Sequence, residues 1–411
     1  MRRADVSVFF YDSRFEAMLP QIKEECPEID TFICIGESES EQTLASILEN
    51  GEMADAADVK PSDLAAIVYT SGTTGKSKGV MLSHGNYIDN TFCRDDESTP
   101  DDVLLTVLPI HHVYCFTCDI LLSLRYGTTV CVNDSMLRIA QNLKKFQPTI
   151  ILLVPMIAAT IYKQIKNAAA AKPDVPIKAI ADAVFGGRLK GIYSGGAYLA
   201  PELIEGYTEF GIPIAQGYGM TECSPRISSI KFDEGSFGDV GIVVNGCEVK
   251  IIDGEIVVKS PSVMQGYYKD QAATDEVLTK DGWLHTGDLG YVENNRIYIT
   301  GRKKNLIILS NGENVSPEEL ENKFAGKDII AEVLVYAEDG FITAEIFPSA
   351  EYCDGMSKEQ VNSELTELIN KINTTLTSSK TIRRVRVRDV EFDKTTSKKV
   401  KRNQTMQGEI I

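Results

Sequence analysis

Apolar runs without polar alternation dominate the first half of the chain, at 6–10, 31–35, 64–68, 103–108, 128–132, 149–154 and 191–193. Runs of this kind suit strands buried on both faces of a sheet. Between them lie helix-like stretches at 138–146 and 201–210, the second with Pro201 in its first turn. This alternation predicts a largely parallel sheet with crossover helices. After Gly219 the texture changes. Two strand-like runs, 249–252 and 255–258, flank Asp253-Gly254, a two-residue hairpin turn signal. Short strands continue through Trp283, Tyr291 and 297–299, which predicts a small antiparallel barrel or sheet. Beyond Arg302, Ser316-Pro-Glu-Glu319 reads as a capping box with Pro at the first helical position. Strands at 332–336 and 341–347 follow, and Ser357-x-x-Gln360 opens a helix. That helix carries Val361, Leu365, Leu368, Ile369, Ile372 and Leu376 on one face, a stripe that reads as core. Residues 384–388 alternate Arg and Val, as in a half-exposed strand. The expected fold class is α/β. Mostly parallel sheets covered by helices and a small antiparallel β-barrel fill residues 1–301, and a small mobile α+β domain follows over 302–411.

Composition narrows the function classes. The 411 residues hold 59 acids against 42 bases, a formal net charge of −17. Such a surface argues against general binding to nucleic acid or anionic membrane. One segment departs from it: residues 380–402 carry ten Lys and Arg against three acids. Nine cysteines without regular spacing fit reduced thiols. Cys115 and Cys118 form a CxxC, but no thioredoxin-like pattern surrounds it and one CxxC is a weak zinc signal. The longest apolar tract, 149–162, is too short to span a bilayer and holds Pro155. The first residues carry Arg2 and Arg3, then Asp5 and Asp12, with no long apolar stretch. A soluble cytoplasmic protein without a signal peptide is the expectation.

The densest chemistry lies in Tyr69-Thr-Ser-Gly-Thr-Thr-Gly-Lys-Ser-Lys-Gly-Val80. Glycines let a backbone turn its N–H groups toward an anion, hydroxyls add donors, and Lys76 and Lys78 add positive charge. The apolar run before the loop reads as a buried strand, so the loop is expected at a strand's carboxyl end, where open α/β sheets bind nucleotides. The spacing is not that of a Walker A loop, because only two residues separate Gly72 from Gly75. Four further segments carry polar groups that packing alone would not choose. They are Gln216-Gly-Tyr-Gly-Met-Thr-Glu222, Trp283-Leu-His-Thr-Gly-Asp288, Gly301-Arg-Lys-Lys304 running on to Ser310-Asn-Gly-Glu-Asn314, and Lys394-Thr-Thr-Ser-Lys-Lys-Val-Lys-Arg402.

Taken in this order, from about Asp63 to Arg402, the segments resemble the acyl-adenylate-forming superfamily. Residues 301–321 look most like long- or medium-chain fatty acyl-CoA synthetases. The resemblance implies a two-step reaction with ATP, Mg2+ and CoA. A carboxylic acid becomes acyl-AMP with release of pyrophosphate, and a thiol then displaces AMP. The thiol would be CoA or the phosphopantetheine arm of a carrier protein. Residue roles follow from the same resemblance. Thr70, Ser71, Gly72, Thr73, Thr74, Gly75 and Lys78 look like the phosphate cradle, with Thr74 among the catalytic residues. Gln216, Gly217, Tyr218 and Gly219 look like the adenine segment, with Tyr218 stacking on the base or, alternatively, filling core. Thr221 matches a phosphate-contacting hydroxyl and Glu222 the Mg2+-holding carboxylate. Asp288 matches the ribose-binding acid, with a turn cap as the alternative, and Arg302 the second ribose contact.

Lys399 looks like the lysine that reaches the carboxylate and α-phosphate. Lys398 stands where the family commonly has glycine, which leaves Lys398 as the alternative. His112 matches a histidine near the substrate carboxylate, or else a structural histidine. His111 and His112 as a metal pair are not expected, since neighbours on a strand point oppositely. A histidine in this segment, with Asp119 expected to face elsewhere, favours an acid without an α-amino group. Gly195, Gly196 and Ala197 resemble the small-residue wall beside acyl chain and adenine, and Lys304 the hinge. Gly312 is expected to meet the pantetheine arm. Relatives place about a hundred more residues before the loop, so an exposed sheet edge would favour a partner or homodimer. A protein that binds nucleotide or acyl groups without turnover is the rival reading.

Overall fold

The structure is a computed structural model, and it describes every residue except 1, 40, 52, 71–76, 95–97, 236–237, 310–312, 395–399 and 403–406. The chain forms two compact units, 1–85 with 264–275, and 86–263 with 276–411.

In the first unit, Val8–Tyr11, Thr31–Cys34 and Gln42–Thr43 form a parallel sheet. Tyr11, Phe32 and Cys34 from its inner face pack with Leu19, Cys26 and Ile29. A second sheet pairs Leu64–Thr70 with Lys78–Ser83 and then Gly266–Tyr267, all antiparallel. Leu64–Thr70 is therefore one arm of a hairpin, not a strand of an open parallel sheet. It is also not buried: Leu64 and Tyr69 are exposed.

The second unit is built on an eleven-strand sheet. Five parallel strands form one end, in the order Thr129–Val132, Val103–Thr106, Ile150–Leu153, Gly191–Ser194 and Ile214–Gly219. Leu105, Ile151, Leu153 and Ile192 face a core with Phe185, Tyr207 and Phe210. That core lies under the helices Ile139–Phe146, Pro155–Ala170, Ile177–Phe185 and Pro201–Glu209. Leu104, Ile150 and Leu152 face the other way, onto Cys118 and Leu122. Burial on both faces is why these strands show no polar alternation.

Beyond Ile214–Gly219 the sheet turns antiparallel, through Arg226–Ser229, Ile242–Val243, Arg296–Arg302, Leu284–Glu293, Glu255–Lys259 and Glu248–Ile252. The Asp253-Gly254 turn joins the last two, with Ile252 paired to Glu255. Three strands lie between Ile214–Gly219 and Leu284–Glu293. Were the sheet flat, those two would lie about 19 Å apart, given about 4.8 Å between neighbours. Instead the Tyr218 hydroxyl donates to Asp288 Oδ2 at 2.8 Å. The antiparallel part must curl back on itself, as the expected small barrel does. Register shifts at Tyr218/Gly219, Glu255/Val257 and Leu289/Gly290 supply the bends.

The remaining residues form a sheet of Ile330–Glu338, Phe341–Pro348, Arg384–Val387 and Glu409–Ile410. Its core includes Val335, Ala344 and Ile346, with Leu365 and Ile369 from the helix Lys358–Asn373. Ser357 and Gln360 make the reciprocal capping box at that helix. At Pro317–Glu321 only half of the expected box forms. Ser316 accepts from the Glu319 N–H, but the Glu319 carboxylate is taken by Lys380.

Gly290 stands at a bulge where an added Cβ would lie 2.1 Å from the Tyr298 carbonyl oxygen. Gly290→Ala must push these paired strands apart. We expect it to destabilise the protein by about 1–3 kcal/mol, read by denaturant unfolding. An unchanged midpoint would show that the bulge yields freely.

Candidate functional site

The hairpin loop belongs to the first unit. Register pairs Thr70 with Lys78, so the strands close immediately on either side of residues 71–77. Of the loop residues singled out above, Ser71, Gly72, Thr73, Thr74, Gly75 and Lys76 lie outside the described residues. Lys78 Nζ lies 4.7 Å from the Tyr267 ring centroid, a cation–π contact. The Arg3 guanidinium donates to the Ser77 carbonyl at 3.3 Å. Both cations line a cavity of about 330 Å3 with Tyr69, Tyr268 and Lys269. The last two bond to Asp5, so its carboxylate is already neutralised. The loop thus springs from a cationic base within a strongly acidic chain.

In the second unit, three predicted residues meet. Asp288 and Arg302 are cross-strand partners, and Arg302 Nε reaches Asp288 Oδ1 at 2.7 Å. The other carboxylate oxygen accepts the Tyr218 hydroxyl. The Asp288 N–H donates to Thr286 Oγ1 at 3.1 Å, and that hydroxyl donates to the Ile256 carbonyl at 2.7 Å. Gly287 between them has φ +71°, a conformation suited to glycine, and its N–H donates to Glu255 Oε1. Burial and the Asp288 carboxylate push the Tyr218 phenol upward, so it stays protonated and donating. Tyr218 is itself buried, so its ring is part of the packing.

Gln216 is buried on the same strand, which carries Gly217 and Gly219 as well. Thr221 and Glu222 follow in a 3-10 turn, Thr221–Cys223, both half-buried. Gly195 packs against Tyr114, and a Cβ there would lie 3.1 Å from the phenol ring. Gly195 is therefore explained by packing, whatever else it does. Gly196 has φ +80°, and Ala197 is exposed beside it. His112 caps the turn Val113–Cys115, its Nδ1 accepting the Tyr114 N–H at 3.2 Å. His111 and His112 lie in a turn rather than on a strand, so strand alternation does not orient them. No group of three or more His, Cys, Asp or Glu is placed to hold a metal among the described residues.

Lys304 lies between two anchored neighbours. Lys303 Nζ reaches Glu255 Oε2 at 2.8 Å, and Asn305 donates to Glu318. Gly312, Lys398 and Lys399 lie outside the described residues. Several groups escaped the sequence reading. Glu255 gathers Lys303, His285 and the Gly287 N–H around one carboxylate. Nothing in its local sequence marks it, since its partners are 30 to 48 residues away. Asp119 is wholly buried in a π-helical turn, Phe116–Leu121. Its Oδ2 takes the Cys115 thiol at 3.4 Å, and its Oδ1 has no hydrogen-bond partner.

The AMP-binding enzyme family matches residues 1–268, and the AMP-binding enzyme C-terminal domain matches residues 304–408. The chain belongs to the AMP-binding enzyme family. Among its relatives is the peroxisomal long chain acyl-CoA synthetase 6 of Arabidopsis thaliana, 34% identical over 68% of this chain and 46% of the relative. Another is the 4-coumarate–CoA ligase 1 of the same plant, 32% identical over 74% of this chain and 59% of the relative. The chain spans about half the length of such relatives. Solved structures that it resembles include an ATP-bound RpMatB–BxBclM chimera, with 26% identity, TM-score 0.80, and 98% and 79% of the two chains covered. The O-succinylbenzoate coenzyme A synthetase of Bacillus subtilis, solved with ATP and magnesium ion, gives 27% identity and TM-score 0.75 over 97% and 78%. No helix among the described residues of this AMP-binding enzyme is long and apolar enough to cross a membrane.

Asp119 makes a testable contribution to stability. Burial pushes its carboxyl up to about 7, against the lowering effect of the Cys115 hydrogen bond. A carboxyl raised in the folded state binds its proton more tightly there than in the unfolded chain. Stability therefore falls as pH rises from about 4 to about 7, then levels. Asp119→Asn removes that loss. We expect the variant to match the parent near pH 4 and exceed it by up to about 4 kcal/mol at pH 8, measured by denaturant unfolding at both pH values. A gap independent of pH would overturn this assignment.

Proposed function

We propose that this AMP-binding enzyme is an ATP- and Mg2+-dependent acid–thiol ligase that makes acyl-CoA through acyl-AMP. One observation carries the reading: Asp288 is held between Tyr218 and Arg302 at the closure of the curled sheet. A carboxylate offers about four lone-pair sites. Tyr218 and Arg302 use two, and the two that remain suit the two hydroxyls of a ribose. The Tyr218 ring beside them suits an adenine face.

The reaction must bring a carboxylate up to a triphosphate, so like charges have to be held together and neutralised. The Thr70–Lys78 loop would hold the outer phosphates. Glu222 would hold Mg2+, which supplies charge neutralisation when bound. A single half-buried carboxylate fits a cation that takes its other ligands from phosphates and water. The solved relative holding ATP and magnesium ion supports the same pairing. Lys399 would donate to the carboxylate and α-phosphate as charge develops, without accepting a proton. Thr221 would steady a phosphate, and His112 would lie near the acid. Gly195, Gly196 and Ala197 would border the acyl chain.

Two half-reactions need two arrangements of one site. The division at 301/302, with Lys304 as hinge, would bring in Lys399 for the first and Gly312 for the second. An aliphatic or aryl acid without an α-amino group is the substrate class. The long-chain and 4-coumarate ligases among the relatives support it.

The reading is tested by carboxylate-dependent ATP–pyrophosphate exchange, across acetate, hexanoate, dodecanoate and 4-coumarate. Exchange followed by thioester formation with CoA is the expected result. Exchange without CoA thioester, but with loading of a holo-carrier protein, would move the acceptor. Absence of exchange with every acid would leave a binding protein. Lys399→Ala should lower adenylation about 10²–10³-fold, yet leave thioester formation from supplied acyl-AMP within about twofold. Equal loss in both steps would remove Lys399 from this role.

A further inference from the structure

We propose that Glu255 is a positioning residue for the nucleotide: its buried carboxylate holds Asp288 and Arg302 in the geometry that receives the two ribose hydroxyls. The inference rests on the ribose-binding role proposed above for Asp288. Glu255 acts through chain neighbours, the residue before Asp288 and the residue after Arg302. Its Oε1 accepts the Gly287 N–H at 3.0 Å, and its Oε2 accepts the Lys303 ammonium at 2.8 Å. His285 Nδ1 lies 3.1 Å from the same Oε2. One carboxylate therefore joins the two strands that carry the pair.

Three consecutive residues hold the turn that presents Asp288. The Gly254 carbonyl accepts the Gly290 N–H at 2.9 Å. Glu255 takes the Gly287 N–H. The Ile256 carbonyl accepts the Thr286 hydroxyl, which in turn accepts the Asp288 N–H. Asp288 is thus fixed from both sides along the chain. The ladder has slipped in this stretch, with register shifts between Glu255 and Val257 and between Leu289 and Gly290. A bulge disrupts the regular ladder bonds, and these contacts stand in their place. Lys303 brings the second strand to the same carboxylate. Arg302 faces Asp288 across that ladder, and the Lys303 tie fixes its backbone one residue on.

The arrangement calls for a carboxylate. Glu255 is 3% exposed, whereas its strand neighbours Ile256, Val257 and Val258 are apolar and wholly buried. A buried charge is costly unless it is paired, so its presence there needs a reason. Burial by itself raises the Glu255 carboxyl, but Lys303, His285 and the Gly287 N–H together hold it below the ordinary value, so it is ionised. An ionised carboxylate accepts on both oxygens and donates nothing. It can hold a backbone N–H on one oxygen and an ammonium on the other. A glutamine of the same shape has one acceptor oxygen, and its NH2 would face one of the two donors. Hydrogen bonds to ribose weaken steeply when the acceptor turns away. A tie that fixes the backbone on both strands therefore acts on ribose recognition more than on contacts to the base or phosphate.

The test uses the full chain and two probes, AMP and 2′,3′-dideoxy-AMP, which lacks both ribose hydroxyls. Binding is read by titration calorimetry. The parent should bind AMP about 10- to 100-fold more tightly than the dideoxy compound. Glu255→Gln and Lys303→Met should each cut that preference at least about fivefold, with affinity for dideoxy-AMP within about twofold of the parent. Lys303→Arg, which keeps the charge, should restore part of the preference. The double variant should be no worse than Glu255→Gln alone, since both changes break one tie. Amide hydrogen exchange over 285–288 should rise at least about tenfold in Lys303→Met. An unchanged preference in both single variants, or equal weakening of the two nucleotides, overturns the positioning role. A parent that binds both probes alike would count against Asp288 as the ribose acceptor. Exchange over 285–288 then decides the link alone: a tenfold rise in Lys303→Met supports it, and a parental rate overturns it.

Discussion

The hydrogen bond from Tyr218 to Asp288 is the constraint on which the second unit depends. It joins the last parallel strand to a strand four positions along the same sheet, so it can form only if the sheet curls. Curling is produced locally, by register shifts at Tyr218/Gly219 and Leu289/Gly290, the residues next to the bond. Once closed, the sheet buries a carboxylate, and a buried carboxylate must be paired. Arg302 supplies the pair from the adjacent strand, and Tyr218 satisfies the second oxygen. Fold closure and the meeting of Tyr218, Asp288 and Arg302 are therefore one event. A change that relaxes the curl removes an acceptor and an aromatic wall together.

Charge is distributed in the same economical way. The chain is acidic overall, yet its proposed substrates are anions. Cations must therefore be concentrated where anions are to arrive, and acids elsewhere must be occupied. Asp5 is occupied by Tyr268 and Lys269, and Glu255 by Lys303 and His285. Glu338 is held by Arg384 and Arg386, which keep its carboxyl down at about 2. Repulsion of a triphosphate by the net charge is screened beyond a Debye length, about 8 Å in physiological salt. What matters is the local balance, and at the base of the hairpin loop Arg3, Lys78 and Lys269 stand against Asp270.

Much of this was legible in the sequence, for a physical reason. Strands buried on both faces must be apolar throughout, so 103–106, 150–153 and 191–194 announce themselves. Asp253-Gly254 and Ser357-x-x-Gln360 are local signals, complete within four residues, and both formed as read. Tyr218, Asp288 and Arg302 were picked out by the family resemblance of their segments rather than by any local physical signal. Signals that depend on distant partners were not legible. Glu319 satisfies the spacing of a capping box, but Lys380, 61 residues on, outcompetes the cap for its carboxylate. Leu64–Thr70 reads as a buried strand because apolarity cannot tell an edge strand from a central one. Asp119 could not be placed, since the π-helical turn that carries it inward has no sequence signature of its own.

Around Lys304, the proposed hinge, anchored neighbours stand on both sides. Gly301 admits the cap of the following helix so closely that a Cβ would lie 2.0 Å from Ser316 Oγ. Lys303 is tied to Glu255 on the curled sheet, and Asn305 to Glu318 on the helix Pro317–Glu321. A rotation that keeps both ties must be absorbed by the backbone between them, and that backbone belongs to Lys304. Long anchored stretches on both sides make the turn discrete, because packed elements resist gradual deformation. Glu318 holds Arg402 as well, so whatever turns at Lys304 carries Arg402 with it.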